Sequence, residues 1–235
     1  MSLDFTWLAV PHYQRLLLNG VSTTLQLSLF GLVLALFVGV AGASLIHWRV
    51  RYLSPVLTTF VELFRNTPSL VQLFFLYFML SEMGIYFLDA ETGRRVPVFS
   101  GFTCAVLMLA LSNGAIAIEI IRSGLASIPK ETVEAARSLG YSRWQLLIYV
   151  ELPLSFRMTI PLMANNIVSL IKTTSQSALI AVPDLLYAAN VIMSDTFRNA
   201  EVMILVWALY LGIVSICIQL IHVLHRRARI PGYGQ

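Results

Sequence analysis

The sequence predicts an all-α fold, a polytopic transmembrane helical bundle of five spans with a helical hairpin on the cytosolic side. Composition is the first indication, because 57% of the 235 residues are apolar and only 12% are charged, about half the charge of an average soluble domain. Length is the second, because the apolar residues form runs of about 20, enough to cross the hydrocarbon core of a bilayer. The third is a polar segment, residues 123–157, that separates two of these runs.

The apolar runs define the predicted spans of a single domain comprising residues 1–235. They cover residues 21–46, 69–88, 102–121, 160–182 and 202–224. The first run exceeds the about 7–15 apolar residues of a secretory signal and follows a single basic residue, Arg15, so we interpret it as a span. Small side chains recur in it at spacings of three and four residues, which predicts close packing against a helix of this or a second subunit. These residues are Thr24, Ser28, Gly31, Ala35, Gly39 and Gly42.

Basic residues predict the orientation of the bundle. Eleven lie on the side of the polar segment, namely Arg49, Arg51, Arg65, Arg122, Lys130, Arg137, Arg143, Arg157, Arg226, Arg227 and Arg229. Four lie on the other side, namely Arg15, Arg94, Arg95 and Arg198, and Lys172 falls within a span. The positive-inside rule therefore predicts an external N-terminus and a cytosolic C-terminus. The net charge of +4 follows from this topology, and we expect no nucleic-acid partner.

The polar segment has the start and stop signals of a helix. Pro129 suits a first helical turn, and Glu131 and Glu134 complement the positive end of the helix dipole. Gly140 can adopt the left-handed conformation that ends a helix. The small pair Ala135-Ala136 in this helix gives a compact surface between two membrane segments.

A second helix is predicted directly after this stop. Residues 142–145 have the S-x-x-Q pattern of a capping box, in which the serine hydroxyl and the glutamine side chain each bond a free backbone N–H of the other. We expect the helix to end near Pro153. By spacing alone, the resulting hairpin fits docking to a cytosolic partner and burial at the membrane interface equally well.

A short interfacial helix is predicted over residues 54–65, before the second span. Thr67 can cap the exposed N–H groups of the span, and Pro68 suits its first helical position. Glu62 and Arg65 lie three residues apart on one helical face. They fit either a surface ion pair with each other or a structural role between segments.

The fourth span has a polar face. Its residues follow at steps of four, three and four, and they are Asn165, Ser169, Lys172 and Gln176. A lysine in a span costs about 2.5 to 3.5 kcal/mol at mid-depth, so it should face protein or water. We interpret the face as a candidate wall of a solute path, in which Lys172 attracts a carboxylate.

The alternative for Lys172 is a buried structural pair with an acidic residue within a span, Glu119 or Glu82. Arg122 follows Glu119 by three residues and can satisfy that carboxylate locally. Both interpretations of Lys172 stay open on the sequence alone.

Catalytic chemistry has no candidate residues in this sequence. The four histidines, His12, His47, His222 and His225, lie near span ends or in loops. Neither a nucleophile–histidine set nor paired carboxylates fall within the spans. Cys104 and Cys217 both fall within spans, where we expect buried thiols rather than a disulfide or a metal site. We therefore expect no catalytic residue and no metal ligand.

Several segments resemble the membrane permeases of bacterial ABC importers for polar amino acids, the histidine/glutamine type. Glu134-Ala135-Ala136, with Gly140 and then Leu152-Pro153 following, resembles the EAA loop of these permeases. Residues 62–72 (ELFRNTPSLVQ) resemble their E-x-x-R-x-T-P-x-x-x-Q signature, and residues 119–124, 128–130 and 172–175 match further segments in the same order. Within these segments we single out as structural motif residues Glu62, Arg65, Thr67, Pro68, Glu119 and Arg122.

The resemblance implies a subunit of an ATP-driven importer that moves polar or basic amino acids, or close derivatives, into the cell by alternating access. It implies that the EAA hairpin couples the permease to a separate ATPase subunit dimer through Glu134, Ala135, Ala136, Leu139 and Gly140. The chain has no G-x-x-x-x-G-K-[ST] segment for ATP phosphates. We therefore expect the partner ATPase to bind ATP and Mg and this chain to hold no cofactor.

The resemblance also implies further partners in the bacterial cytoplasmic (inner) membrane. These are the lipid bilayer, an extracytoplasmic solute-binding protein and a second permease subunit. Residues 182–186 (VPDLL) resemble the second permease of basic amino acid importers. Ile116, Thr173 and the pair Glu131-Thr132 depart from residues common in relatives. These differences favour a heterodimer over a homodimer.

Overall fold

Helices dominate the computed structural model, which describes residues 4–88, 93 and 95–228, with side chains omitted at 87, 88, 95, 96 and 224–228. After a 3-10 turn at Thr6–Ala9, the helices are α1 (Pro11–His47), α2 (Leu53–Asn66), α3 (Ser69–Glu82), α4 (Gly101–Ala126), α5 (Lys130–Ser138), α6 (Arg143–Leu146), α7 (Leu152–Thr173), α8 (Leu185–Thr196) and α9 (Asn199–Ala228). A π-helical turn, Leu147–Glu151, joins α6 to α7, and a 3-10 helix, Thr174–Ile180, continues α7.

Four helical stretches of the described chain are long and apolar enough to cross a membrane. They are Pro11–His47, Gly101–Ala126, Arg143–Ile180 and Asn199–Val223. The second predicted span differs from its prediction, because α3 ends at Glu82 and extends only about 21 Å at 1.5 Å per residue. The number of spans therefore stays a prediction.

Regular structure also occurs after α3 and before α9. Gly84, at φ +59°, follows α3, and strands β1 (Tyr86–Leu88) and β2 (Arg95–Pro97) then pair antiparallel, with Tyr86 opposite Pro97. Helix α8 lies between the fourth and fifth predicted spans. Residues 89–92 and 94, between the two strands, lie outside the described residues.

The chain divides into two compact units, each with its own core. The first comprises Met1–Leu32, Thr67–Leu109 and Ser169–Ser215, and its buried core residues are Trp7, Leu17, Leu185, Ala189, Ile192, Val202 and Val206. The second comprises Val33–Asn66, Ala110–Val168 and Ile216–Gln235, and its core residues are Ala43, Val61, Ala115, Ile118, Ile121, Leu125, Ile128 and Leu147. Val61 and Ile118 show that α2 packs on α4.

The glycines of α1 allow close packing against α4 of the same chain. A Cβ added at Gly31 would lie 3.0 Å from Leu109, one at Gly39 would lie 2.6 Å from Ala117, and one at Gly42 would lie 2.5 Å from Ile118. The prediction of close helix packing along this stripe is confirmed, with the partner helix in the same subunit. Both cysteines are free thiols, Cys104 fully buried and Cys217 half-buried.

Candidate functional site: the polar hairpin and the polar face of α7

The first helix of the polar hairpin, α5, ends where the sequence predicts. Leu139 is its C-cap, and Gly140 has a φ of +85°. The Gly140 N–H bonds the Arg137 carbonyl at 2.9 Å and the Tyr141 N–H bonds the Ala136 carbonyl at 3.4 Å, which is the Schellman pattern. A Cβ at Gly140 would meet nothing within 4 Å, so the left-handed backbone alone accounts for a glycine here.

The second helix of the hairpin begins with the predicted capping box. The Gln145 N–H donates to the Ser142 hydroxyl at 3.3 Å, and the Ser142 N–H donates to Gln145 Oε1 at 2.9 Å. Both ends of the turn between α5 and α6 are therefore fixed by hydrogen bonds that the local sequence specifies.

Of the predicted coupling residues, only Ala136 is buried, whereas Glu134, Ala135, Leu139 and Gly140 are exposed. Large apolar side chains surround them on the hairpin with high exposed fractions: Leu139 80%, Trp144 63%, Ile148 50% and Tyr149 68%. The hairpin thus presents a rigid, partly apolar surface, the kind of surface that marks an interaction site.

The second helix does not end near Pro153, so that expectation is wrong. The chain stays helical from α6 through the π turn into α7. Pro153 lacks an N–H and cannot donate in a regular helix, and the wider turn of Leu147–Glu151 ends two residues before it. The hairpin is consequently continuous with the fourth predicted span.

A buried carboxylate in this π turn was missed by the sequence reasoning. Glu151 is 5% exposed, and its Oε2 lies 3.3 Å from His47 Nε2 at the end of α1. The available signal was a single acid inside the apolar run at residues 146–152, because a buried charge requires a partner.

Two local ion pairs that the sequence offers as alternatives are not formed. Arg65 pairs with Glu119, so the Glu62–Arg65 and Glu119–Arg122 interpretations are both wrong. The packing of α2 on α4 brings Arg65 and Glu119 together, which one-helix spacing cannot reveal. The Arg65–Glu119 pair joins α2 to α4, which fits the alternative of a structural role between segments.

The glycine that ends the segment at 119–124 has a packing role. A Cβ at Gly124 would lie 2.5 Å from Ser155 Oγ and 2.9 Å from the Ser155 carbonyl oxygen. The Ser155 hydroxyl is fully buried against α4, where it donates to the Ile121 carbonyl at 3.0 Å. Gly124 therefore allows α7 to touch α4.

Helix α3 begins one residue later than predicted. Pro68, rather than Thr67, is its N-cap, since the Pro68 carbonyl accepts the first helical bond, from the Gln72 N–H at 3.1 Å. The hydroxyl and carbonyl of Thr67 instead accept from Gln72 Nε2 at 2.8 and 3.0 Å. Thr67 thus holds a side chain of the first turn rather than its backbone.

The polar face of α7 is only partly continuous. Asn165, Ser169 and Lys172 are exposed along α7, but the helix ends at Thr173, and Gln176 lies in the 3-10 segment. Gln176 Nε2 donates to Ser69 Oγ at 3.0 Å, while its buried Oε1 has no hydrogen-bond partner among the described residues. The change of helix type takes Gln176 off the α-helical spacing of the other three residues.

Lys172 is exposed and forms no ion pair within the described part of its unit. Glu119, the first acid considered for it, is engaged by Arg65. The structure thus leaves the Lys172 ammonium accessible on α7.

Asp184, just beyond the fourth predicted span, is a second buried carboxylate that the sequence did not single out. It caps α8 by accepting from the Tyr187 N–H at 2.8 Å, and the Tyr210 hydroxyl donates to its Oδ2 at 3.4 Å. The side chain is fully buried, and burial raises the pKa of Asp184 to about 6 despite these hydrogen bonds.

Known proteins resemble this chain over almost its whole length. A family model described as "Binding-protein-dependent transport system inner membrane component" matches residues 31–230. The nopaline transport system permease protein NocM of Agrobacterium fabrum is 32% identical over 229 residues, covering 92% of this chain and 91% of that protein. The glutamine transport system permease protein GlnP of Escherichia coli is 32% identical over 228 residues, covering 97% and 100%.

Solved structures agree with these relatives. A crystal structure of an amino acid ABC transporter with histidines matches with a TM-score of 0.81 and 27% identity, covering 97% of this chain and 100% of that chain. An inward-facing structure of the MetNI methionine ABC transporter matches with a TM-score of 0.75 at 18% identity, which shows the fold alone. The prediction of an all-α transmembrane bundle is confirmed.

Proposed function

Because this chain belongs to the family of binding-protein-dependent transport system inner membrane components, we propose that it moves polar or basic amino acids into the cell by alternating access. The chain is a permease subunit of an amino acid ABC transporter and crosses the inner membrane several times. It is a transport component whose ATPase lies in a separate subunit, and such permeases work with a binding protein. ATP and Mg are then bound by that ATPase.

Coupling to the ATPase is assigned to the hairpin of α5 and α6. The observation that carries this proposal is the rigid turn between the two helices, with Gly140 in the left-handed conformation and Leu139 80% exposed. The hairpin is continuous with α7 through the π turn. A displacement of the hairpin by the ATPase can therefore move α7 as well. Glu134 and Ala135, one polar and one small residue, are exposed beside this turn.

The solute path is assigned to the face of α7 that carries Ser169 and Lys172, with Asn165 on the same helix. Lys172 supplies an accessible positive charge, which attracts the carboxylate common to all amino acids. Gln176 adds a buried acceptor without a partner among the described residues, and buried acceptors of this kind normally find a donor. An ammonium or amide group of the solute is such a donor.

The substrate class and the partners rest on likeness. NocM is described as a nopaline permease and GlnP as a glutamine permease, and both names point to polar amino acids or their derivatives. We further propose a heterodimer with a second permease subunit, on the basis of residues 182–186. We also propose that the hairpin is cytosolic, on the basis of the eleven basic residues on its side of the membrane.

Uptake into proteoliposomes tests the proposal. The permease would be reconstituted with its ATPase, its second permease and its binding protein. Radiolabelled glutamine, arginine and leucine would then be supplied with or without internal ATP. We expect ATP-dependent uptake of glutamine or arginine and none of leucine. Uptake without ATP, or of leucine alone, would contradict the proposal.

A further inference from the structure

A cavity of about 180 Å³ lies at the C-terminal end of α1. Its lining includes Arg49 after α1, Arg137 of α5 and Arg143 of α6, together with Trp48. The volume is several times the about 30 Å³ that one water occupies in the liquid. The cavity can therefore hold a group larger than a single water.

The charge of this cavity is positive. None of its three arginines forms an ion pair within the part of the chain that the structure describes. The one acid in the lining, Glu151, contacts His47 at 3.3 Å, and its single carboxylate leaves the lining net positive beside three arginines. Three guanidinium groups around one cavity repel each other, and a bound anion relieves that repulsion.

The backbone at Arg49 places a cation at the end of α1. Arg49 has a φ of +53°, and it ends α1 in a Schellman pattern, with Arg49 N–H to the Ile46 carbonyl at 2.9 Å and Val50 N–H to the Leu45 carbonyl at 3.3 Å. Glycine suits this backbone conformation best, because a Cβ crowds the backbone there. A positive charge at the C-terminus of a helix complements the helix dipole, and Arg49 also lines the cavity.

The surroundings indicate where the anion comes from. The Trp48 and Trp144 rings meet edge to face, with centroids 4.2 Å apart, and Trp144 is 63% exposed. Tryptophans concentrate at the level of lipid headgroups, and the long apolar helix α1 ends beside this pair. Guanidinium groups match phosphate oxygens in a two-bond geometry.

We propose that this cavity binds the phosphate group of an anionic phospholipid through Arg49, Arg137 and Arg143, with the headgroup packed beside Trp48 and Trp144. The bound phosphate joins the end of α1 to both helices of the hairpin. The lipid then holds the hairpin in place.

Lipid retention by the purified transporter complex tests the proposal. Native mass spectrometry would count phosphatidylglycerol and phosphatidylcholine that stay bound in detergent. We expect preferential retention of phosphatidylglycerol, reduced about fivefold by Arg49→Gly and by Arg143→Gln, the effect of about one basic contact near a membrane surface. Arg157→Gln removes an exposed arginine of α7 outside the cavity and should leave retention unchanged.

Arg49→Gly separates the effect on lipid binding from the effect on backbone stability. Glycine relieves the left-handed conformation, so the melting temperature of the lipid-free complex should stay the same or rise while phosphatidylglycerol retention falls. A lower melting temperature with unchanged retention would show a purely structural arginine and overturn the proposal.

Two other anion sources give different results. If inorganic phosphate at millimolar concentration raises the melting temperature as much as phosphatidylglycerol does, and both cavity variants lose this effect, the site takes free phosphate and the lipid is wrong. If Arg143→Gln releases the ATPase while phosphatidylglycerol retention is unchanged, the cavity meets an acidic ATPase side chain instead. Retention is measured without ATP or solute, so its outcome is independent of whether the proposed transport function holds.

Discussion

Two glycines of this permease serve opposite needs, one in a packed contact and one on an exposed turn. At Gly124 the backbone of α4 meets Ser155 of α7, and an added Cβ would lie 2.5 Å from the Ser155 hydroxyl oxygen. At Gly140 an added Cβ would meet nothing within 4 Å, but φ is +85°. The first glycine supplies space and the second supplies a backbone conformation. Substitutions at the two positions should therefore fail in different ways.

The largest effect is expected at the packed contact. Gly124→Val forces α4 and α7 apart, because the Ser155 carbonyl oxygen, 2.9 Å from the added Cβ, belongs to a backbone that cannot rotate away. Overpacking of this kind costs about 1–3 kcal/mol or more in free energy of unfolding. Thermal unfolding of the purified complex in detergent measures it. A variant with unchanged melting temperature would show that α4 and α7 do not meet at Gly124.

Lys172 is an exposed position like Gly140, but it contributes a charge rather than a backbone conformation. Lys172→Met keeps the apolar stem and removes the ammonium, so stability should change by less than about 0.5 kcal/mol. Loss of a charged contact to a carboxylate costs about 1.5–3 kcal/mol, so solute uptake should fall at least about tenfold.

Lys172→Arg is the matched control, since it retains the charge and should keep part of the uptake. If Lys172→Met instead lowers the melting temperature and leaves uptake intact, the lysine has a structural role and the path assignment fails.

Asp184 gives the most specific effect, a dependence of stability on pH that arises at a buried position. Its pKa rises from 3.8 to about 6 on folding, so the folded state binds the proton more tightly. The carboxyl therefore costs no stability below about pH 4, and its burial as an anion destabilises the fold by on the order of 3 kcal/mol once the pH rises through about 6. Asparagine keeps a helix-capping oxygen without the charge.

The melting temperature of the wild type should consequently drop between pH 5 and pH 7.5 by more than that of Asp184→Asn. Equal drops in the two proteins would mean that Asp184 stays ionised over this range.

Features set by neighbouring residues could be predicted from the sequence. Gly140, the Ser142–Gln145 capping box and the glycine stripe of α1 each depend on spacing within one segment, and the structure confirms them. Contacts between distant segments could not be predicted, and Arg65–Glu119 and His47–Glu151 are examples. Helical spacing shows which residues share a face but does not show which helix packs against that face.

Boundaries and irregular turns were also beyond the sequence. The run at residues 69–88 is apolar throughout, yet α3 ends at Glu82 and the strand β1 takes over the last residues. Apolar side chains suit a strand as well as a helix, so composition does not mark this change. The π turn before Pro153 and the 3-10 segment at Thr174–Ile180 likewise alter helical spacing within apolar sequence. The 3-10 segment displaces Gln176 from the predicted face.

We propose that the exposed turn at Gly140 couples this permease to its ATPase. ATPase co-purification and solute uptake, measured for the wild type, Gly140→Asn and Gly140→Val, test this coupling. Asparagine tolerates the left-handed conformation and a β-branched residue does not. We predict that all three insert equally, that Gly140→Val loses uptake and most of the bound ATPase, and that Gly140→Asn lies between. Normal uptake and a normal complex in Gly140→Val would contradict the coupling role.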